Sequence, residues 1–376
     1  MALFSSVFCR RAASVQRSPS GSSVDPGELA VRIAHLLPGL NVGGVERHVV
    51  DLTSEQIRAG HDVTVISHGG RMVSELPSRV EHVCLPVHRK DPLTGGICAL
   101  RLAWKARSQG WQVLHAHSRV PAWVAWWASS LSGVPFVVTA HAMYSLNRGL
   151  IPYKRAHGAV CVSRTVMEYL TDWLPPTVQV IPHGTPIPGV RWSPRSGDGP
   201  VRFLYVGRLT KVKGVDFLVS LFCRNLARDP RWTLEIVGEG PLEGELRSLV
   251  TASGQEKRVS FSGYCDDVPE KLAQCDCCLL PSRSEGAGLV LLTALAVGTP
   301  VLAADIPAFR EIYPDKELIA PTAGAWRRAI LDHMEKPSGC FFEPRSDVLP
   351  SISQMAHRVQ NFYENVCSLR KGGSVR

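Results

Sequence analysis

The sequence predicts an α/β protein made of two doubly wound parallel-sheet domains that face each other across a cleft. Short apolar runs alternate with amphipathic helical segments along most of the chain, which is the pattern of βαβ units. A stretch rich in Pro, Gly and Ser at residues 183–200 separates two such halves and is predicted to be a linker. The length of 376 residues also exceeds one ordinary core, so about two domains are expected.

Composition and charge limit the classes of partner. A hydrophobic content of 45% and a charged content of 20% are typical of a globular protein, and no run reaches the ~20 apolar residues that span a bilayer. The net charge of +9 predicts an acidic partner, which is a nucleic acid, a phosphorylated substrate or an anionic membrane surface. Because the positive charge is spread out and no nucleic-acid-binding module is recognisable, nucleic acid is not expected.

The eleven cysteines bear on metal binding and redox compartment, and the N-terminal segment bears on targeting. The cysteines lack the repeated CxxC or paired-histidine spacing of a zinc site, so no metal is predicted and buried thiols in a reducing compartment are expected. Residues 1–28 are rich in Ser and Arg and contain no acid before Asp25. They are predicted to be a disordered or targeting-like tail, with a transit peptide and a plain tail both left open.

The first domain is predicted at residues 29–182 and begins with a strand, a glycine loop, a helix and a second strand. The loop contains Gly43 and Gly44 and lies at the carboxyl edge of the sheet, where α/β proteins bind ligands, although a glycine pair is also typical of a tight turn. The predicted strands are residues 31–37, 62–67, 80–85, 113–115, 136–139, 159–162 and 178–181, and the predicted helices after the first are residues 97–108, 121–131 and 163–173.

Histidines and tryptophans stand out in this half. His141 follows a strand directly, as His115 and His117 follow the preceding one, so each is either a ligand contact or a satisfied loop histidine. Three tryptophans share one predicted helix, and their spacing favours core packing, with a membrane-surface contact as the alternative. They are Trp123, Trp126 and Trp127.

The second domain is predicted at residues 201–350 and repeats the strand–loop–helix pattern. Its first loop carries Arg208, Lys211 and Lys213 between a strand and a helix, which suits a diphosphate, although a solvated basic loop has the same composition. Further strand–helix units occupy residues 232–250 and 258–282, and the final strand lies in residues 299–305. The C-terminal segment, residues 351–376, is predicted to be a helix that packs back on the first domain.

Residues 280–300, LPSRSEGAGLVLLTALAVGTP, form the most informative stretch. It is predicted to be the end of a buried strand, a loop of small residues and an apolar helix that begins near Gly288. Gly286 and Gly288 permit close approach of a ligand, and the free N–H groups of the helix form an anion site. Glu285 is placed to accept hydrogen bonds from hydroxyl groups, or is a carboxylate stabilised by the helix dipole.

Five motifs in order resemble the retaining glycosyltransferases of family 4. They are GGVERHVVDL, VGRLTKVKG, VGEGP, FSGYCDDVPEKLAQCD and LPSRSEGAGLVLL, and the resemblance runs from residue 31 to residue 311. It implies the GT-B fold, with two Rossmann-like domains. It also implies metal-independent transfer of a sugar from a nucleoside-diphosphate sugar with retention of the anomeric configuration, and no other cofactor.

The resemblance assigns roles to particular residues. Arg208 and Lys213 correspond to the diphosphate-binding pair, and Glu285 to the first glutamate of the EX7E motif at the donor sugar. The remaining implied contacts are Gly43 and Gly44 near the donor phosphate and acceptor, His141 near the transferred sugar, Gly263 and Tyr264 at the nucleobase, and Gly286, Gly288, Leu289 and Thr293 along the donor.

One position departs from the family pattern. Thr293 stands where the family has its second glutamate, which holds the ribose hydroxyls, so nucleotide affinity and donor identity are in doubt. The expected function is transfer to a glycan or lipid-linked acceptor in surface polysaccharide or lipopolysaccharide biosynthesis, in the cytoplasm, with peripheral contact at the anionic inner face of the membrane. The alternatives are a non-catalytic partner subunit with the same fold, a sugar-nucleotide epimerase and, more remotely, a phosphorylase.

Overall fold

A computed structural model describes residues 30–186, 188–195, 199–313, 318–336 and 349–372. The predicted tail at residues 1–28 therefore lies outside the described residues, as do parts of the predicted linker.

The first sheet has seven parallel strands in the order β3-β2-β1-β4-β5-β6-β7. Strand order reverses between β1 and β4, which creates the switch point where doubly wound sheets bind ligands. The strands are β1 (Arg32–Leu36), β2 (Asp62–Ser67), β3 (Glu81–Cys84), β4 (Val113–Ala116), β5 (Phe136–Ala140), β6 (Gly158–Cys161) and β7 (Val178–Val180).

The second sheet has five parallel strands in the order β10-β9-β8-β11-β12. Two parallel sheets, each flanked by helices, confirm the predicted α/β class. The strands are β8 (Val201–Val206), β9 (Trp232–Val237), β10 (Val259–Gly263), β11 (Cys277–Leu280) and β12 (Val301–Ala303).

Helices connect the strands and cover both faces of each sheet. Those of the first half are α1 (Gly44–Arg58), α2 (Pro92–Ser108), α3 (Arg119–Ser132), α4 (Ile151–Arg155) and α5 (Arg164–Tyr169). Those that follow are α6 (Val215–Ser220), α7 (Glu243–Ala252), α8 (Val268–Gln274), α9 (Leu289–Val297), α10 (Pro307–Ile312), α11 (Ala323–Glu335) and α12 (Ile352–Gly372). Within the part of the chain that is described, no helix combines the length and apolar character needed to cross a bilayer.

Two helix boundaries differ from the sequence prediction. Helix α2 begins at Pro92 rather than residue 97, because Asp91 caps it by accepting a hydrogen bond from Thr94 N at 2.8 Å and Pro92 takes the first helical position. The helix predicted at residues 163–173 stops at Tyr169 and is followed by a separate 3₁₀ turn, Thr171–Trp173. Its predicted cap, Ser163, accepts from Val166 N at 3.2 Å.

The first sheet is apolar on both faces. Helices α2 and α3 cover one face, while α1 and α12 cover the other, where Phe362 of α12 packs with Val137 and Val160 of the strands. The chain therefore crosses to the second domain and returns, so the last helix belongs to the core of the first domain. The second domain has one large core, which includes Phe203, Leu279 and much of α9.

The two domains contact each other at the carboxyl edges of their sheets. Ser163 Oγ, at the start of α5, donates to the carbonyl oxygen of Gly286 at 2.8 Å. The Glu311 carboxylate of α10 accepts from Arg164 N at 2.7 Å and from Thr165 N and Oγ1 at 3.1 Å. These contacts hold the loop before α9 against the first domain.

Candidate active site

Glu285 occupies the loop between β11 and α9 and has two close partners. Lys213 Nζ lies 2.6 Å from Glu285 Oε2, and Ser282 Oγ donates to Glu285 Oε1 at 2.7 Å. The glutamate side chain is 12% exposed and the lysine side chain 32% exposed. The structure therefore brings the predicted acidic loop and the predicted basic loop into direct contact, with the lysine still open to the cleft.

The basic loop after β8 is tied to its surroundings by several contacts. Tyr205 of β8 donates through its hydroxyl to the carbonyl oxygen of Arg208 at 3.1 Å, which leaves the exposed arginine side chain projecting from an ordered backbone. Gly214 ends the loop with φ +70°, and a Cβ there would overlap the carbonyl of Pro281. The loop after β8 and the loop after β11 can approach each other this closely only because residue 214 is a glycine.

An acidic residue of the first domain lies in the electrostatic field of Arg208. Glu46 is in the first turn of α1, next to the glycine loop. Burial raises its pKa, and the positive charge of Arg208 lowers it by a smaller amount. Glu46 of the first domain and Arg208 of the second are therefore close enough for their charges to interact.

The N-terminus of α9 meets the first domain through Gly286 and Leu289. A Cβ on Gly286 would overlap the carbonyl oxygen of His141, so only glycine permits this approach of the two domains. A Cβ on Gly44 would lie 2.8 Å from Leu289 Cδ1, so the glycine loop contacts the first residue of α9. Gly288 is the residue before the helix, and the free N–H groups that follow it point into the same space.

His141 follows β5, as predicted, but its ring faces other histidines. Its Nε2 lies 3.2 Å from His117 Nδ1, and its ring centroid lies 4.9 Å from that of His48. Burial lowers the pKa of His141, His117 and His48 well below the usual value, so these rings are neutral at physiological pH. His115 instead bonds to Thr139 Oγ1 at 2.7 Å and to the Tyr363 hydroxyl at 2.6 Å, which is the satisfied buried histidine that the sequence left open.

The remaining predicted site residues differ in the contacts that they make. Gly263 ends β10 with φ +66°, and Tyr264 after it is partly buried with the Arg71 guanidinium 5.2 Å from its ring centroid. Thr293 Oγ1 donates to the Leu289 carbonyl oxygen at 2.9 Å, so its hydroxyl is bonded to its own helix. Gly43 is the residue before α1.

The tryptophans of α3 pack largely inward, while α2 carries the exposed apolar surface. Trp123 lies 5.4 Å from Trp126 and 5.7 Å from Trp127 between ring centroids, and the last two pack against the first-domain core. Core packing therefore accounts for much of their surface.

Some residues of interest were not predicted from the sequence. They are the exposed residues of α2, and His48, Ser282 and Glu46 at the cleft. For His48 the available signal was its position within GGVERHVVDL.

Comparison with known proteins agrees with this geometry. Residues 42–187 match the family model described as Glycosyltransferase Family 4, and residues 189–346 match the model described as Glycosyl transferases group 1. The fold and the facing loops define a GT-B glycosyltransferase. The chain belongs to the GT-B glycosyltransferases of the family 4 type.

Individual relatives show how far this similarity extends. The chain is 28% identical over 323 residues to the glycogen synthase of Mycobacterium tuberculosis, covering 73% of this chain and 77% of that protein. It is 28% identical over 301 residues to the phosphatidyl-myo-inositol mannosyltransferase of Mycobacterium leprae, covering 73% and 78%. The structure of Anabaena Alr3699/HepE in complex with UDP-glucose superposes with a TM-score of 0.69 at 18% identity, covering 91% of this chain and 99% of that chain.

Proposed function

We propose that this protein transfers a sugar from a nucleoside-diphosphate sugar to a glycan or lipid-linked acceptor with retention of anomeric configuration. The observation that carries the proposal is the contact between Glu285 and Lys213 at the N-terminus of α9, opposite the glycine loop of the first domain. A carboxylate that accepts sugar hydroxyls and a lysine that binds phosphate lie side by side there. This arrangement suits a ligand that carries both groups.

In the proposed reaction, the bond between the anomeric carbon and the phosphate oxygen breaks while the acceptor oxygen bonds to the same face of that carbon. The proton of the acceptor hydroxyl passes to the departing phosphate oxygen. Arg208, Lys213 and the N–H groups of α9 stabilise the negative charge that develops on the leaving diphosphate. Since these groups supply positive charge, we expect transfer to proceed without added Mg²⁺ or Mn²⁺.

A labelled-donor assay tests this proposal and separates the alternatives. The protein is incubated with UDP-, GDP- and ADP-sugars, with and without added Mg²⁺, and the released and transferred sugar is measured. We expect release or transfer from one nucleotide family, with the α-anomer produced from an α-linked donor. Binding of a nucleotide without release would favour a non-catalytic partner subunit, and conversion of the donor sugar without release would favour an epimerase.

The acceptor class is proposed from the relatives and from the surface of α2. The similar proteins include an enzyme of glycogen synthesis and one named for transfer to a phosphatidyl lipid, so glycan and lipid-linked acceptors both fit, including those of surface polysaccharide or lipopolysaccharide assembly. Four large apolar side chains of α2 are exposed, namely Leu93 at 76%, Ile97 at 46%, Leu100 at 62% and Trp104 at 70%.

We propose that this face of α2 contacts an anionic membrane surface, which would bring a lipid-linked acceptor to the cleft. The exposed basic residues near it supply the matching charge, and they are Arg89, Lys90, Arg101 and Arg107. Because α2 follows β3, its first turn lies at the carboxyl edge of the sheet, on the side of the cleft. Exposed apolar side chains with a basic rim fit an anionic bilayer better than a neutral one.

Vesicle sedimentation tests the membrane contact separately from catalysis. We expect the protein to sediment with phosphatidylcholine vesicles that contain phosphatidylglycerol and to remain in solution with phosphatidylcholine alone. Leu100→Glu should abolish sedimentation, whereas Leu369→Glu, which changes a leucine of similar exposure on α12, should not. A wild-type protein that stays in solution with both vesicles, or a Leu100→Glu variant that binds equally well, would contradict the membrane contact.

A further inference from the structure

Six buried histidines gather at the carboxyl edge of the first sheet. Each is at most 8% exposed, and the polar partners of their rings are one another, Gln56, Thr139 and Tyr363. A cluster this dense is unusual because buried polar rings must satisfy two nitrogens each. The six residues are His35, His48, His115, His117, His141 and His183.

Three of them surround a common point. The ring centroids of His48, His117 and His141 are separated by 4.9 Å, 5.5 Å and 5.6 Å, and one nitrogen of each ring lies within 4.8 Å of the others. His117 Nδ1 and His141 Nε2 are 3.2 Å apart. Nitrogens bound at 2.0–2.1 Å to one tetrahedral zinc ion lie about 3.4 Å apart, so this pair already has the spacing of two ligands.

The topology explains why these three residues meet. His117 and His141 each follow a strand, β4 and β5, which are neighbours in the sheet. Helix α1 follows β1, the other neighbour of β4, and His48 lies in its second turn. All three positions therefore fall at the same edge, although they are far apart in the sequence.

The outer nitrogens of two of these rings are held by further groups. His48 Nδ1 lies 2.9 Å from His183 Nδ1, and His117 Nε2 lies 2.9 Å from His35 Nδ1. His35 Nε2 lies 2.8 Å from Gln56 Oε1. Partners of this kind orient metal-binding histidines and fix their tautomers.

The hydrogen bonds of these rings determine their tautomers and leave His117 Nδ1 with a free lone pair between the three rings. Gln56 Oε1 requires a proton on His35 Nε2, so His35 Nδ1 accepts from His117 Nε2, and His117 Nδ1 is left unprotonated. Two buried nitrogens of the group, His48 Nε2 and His141 Nδ1, have no hydrogen-bond partner among the described residues. An unsatisfied buried polar atom destabilises the folded state, so a metal ion bound to His48 Nε2 would relieve that cost at this nitrogen.

We propose that His48, His117 and His141 form a binding site for a divalent transition metal, with Zn²⁺ as the reference ion and the fourth position held by water. Three imidazoles with no carboxylate suit zinc, cobalt, nickel or copper rather than Mg²⁺ or Mn²⁺. Binding needs no net loss of a proton, since His141 shifts its proton from Nε2 to Nδ1 when Nε2 becomes a ligand. The metal would connect α1, and with it the glycine loop, to the ends of β4 and β5.

Metal analysis of untagged protein tests this site directly. The full chain is freed of metal, reloaded with Zn²⁺ or Co²⁺, and dialysed before measurement of bound metal and of the visible Co²⁺ absorption. We expect one ion per chain, a Co²⁺ band typical of tetrahedral coordination, and a rise in the thermal unfolding midpoint with Zn²⁺. His48→Gln and His117→Gln should remove the band, while His357→Gln, an exposed histidine on α12, should keep it.

A second variant keeps the test decisive if the ligand variants fold poorly. His183→Gln changes only the residue that holds His48, so the metal should still bind, with affinity lowered about 10–100-fold. Folded wild-type protein that retains no metal and shows no Co²⁺ band would overturn the proposal and leave a metal-free hydrogen-bonded network. Metal uptake that is unchanged in folded His48→Gln protein would overturn it as well, and neither result depends on nucleotide binding or transfer.

Discussion

Glu285 is the residue on which the proposed chemistry depends most. Both of its carboxylate oxygens are engaged, one by Lys213 and one by Ser282, so its position is fixed before a donor binds. Preorganisation of this kind lets a charged group act on the transition state without rearrangement.

We expect Glu285→Gln to lower kcat of sugar release about 100-fold while the dissociation constant of the nucleoside diphosphate changes little. Glutamine keeps the size of the side chain but loses the charge that holds Lys213 and the sugar hydroxyls. Steady-state assays at saturating donor measure kcat, and nucleotide titrations measure the dissociation constant. Glu256→Gln changes an exposed glutamate of the same domain and is the matched control. An unchanged kcat in Glu285→Gln would show that Glu285 takes no part in the reaction.

Thr293 makes a second prediction at the scale of one residue. Its hydroxyl already donates to the carbonyl of Leu289, so we expect Thr293→Ala to change nucleotide affinity less than twofold. Thr293→Glu introduces the carboxylate that the family has at this position and should tighten binding of the preferred nucleotide about tenfold, since hydrogen bonds to charged groups contribute about 1.5–3 kcal/mol. A large loss of affinity in Thr293→Ala would show instead that the hydroxyl contacts the ribose.

Asp51 provides a pH-dependent stability prediction away from the cleft. Burial raises its pKa to about 6, with Arg47 opposing the shift. Because the folded pKa is above the unfolded value of about 3.9, this carboxyl favours the folded state less as pH rises through 6, by an amount on the order of 2 kcal/mol.

Asp51→Asn should therefore gain stability relative to wild type as pH rises from 4 to 7.5. The difference between the two thermal unfolding midpoints measures this gain at each pH. Asp62→Asn removes an exposed carboxylate and is the control. A difference for Asp51→Asn that is the same at both pH values would contradict the raised pKa.

The placement of some predicted site residues, though not their roles, could be derived from local order in the sequence. Glu285, Lys213 and Arg208 all follow buried strands, and parallel strands bring such positions to one edge. The partners of His141 could not be predicted in this way, because His48 lies on a helix whose rotation relative to the sheet is set by packing. The spacing rule for zinc sites likewise considers neighbours in sequence, whereas this cluster joins residues from separate elements.

At the scale of elements, the packing of α2 on α3 depends on one glycine. A Cβ on Gly95 would lie 2.9 Å from the ring of Trp127, whereas a Cβ on Gly96 would meet nothing within 4 Å. The two glycines are adjacent in the same helix, so they have similar backbone freedom and differ mainly in this contact.

Gly96→Ala should stabilise the protein by about 0.5–1 kcal/mol through helix propensity, while Gly95→Ala should destabilise it, since overpacking costs about 1–3 kcal/mol. Thermal unfolding of the two variants provides the comparison. Equal stabilisation by both substitutions would show that Trp127 moves aside freely.

The elements themselves were largely predictable, and their ends were less so. All seven strands of the first sheet were anticipated, because inner strands such as β5 are buried and largely apolar, and the regular alternation of strands and helices locates the edge strands β3 and β7. The start of α2 was missed because its first three turns carry exposed apolar residues, including Leu93 and Leu100, which obscure the amphipathic pattern. The same residues form the surface proposed to contact the membrane.

At the scale of the whole molecule, the cleft depends on contacts that hold the carboxyl edges of the two sheets against each other. Glu311 and Ser163 join α10 and the Gly286 loop to α5, and α12 returns the chain to the first domain. The loops that carry Lys213 and Glu285 in the second domain are thereby set against the glycine loop of the first. The sequence predicts that the two sheet edges face each other, but the hydrogen bonds of Glu311 and Ser163 that join the domains have no sequence signature.

The measurement that tests the central claim most directly is calorimetric titration of UDP, GDP and ADP into wild-type protein and into the Arg208→Ala/Lys213→Ala variant. We expect wild type to bind one of these nucleotides and the double variant to lose that binding. The control Arg228→Ala/Lys257→Ala removes two exposed charges from the same domain and should bind as wild type does. Wild type that binds none of the nucleotides, or a double variant that binds as tightly as wild type, would contradict a donor site in this cleft.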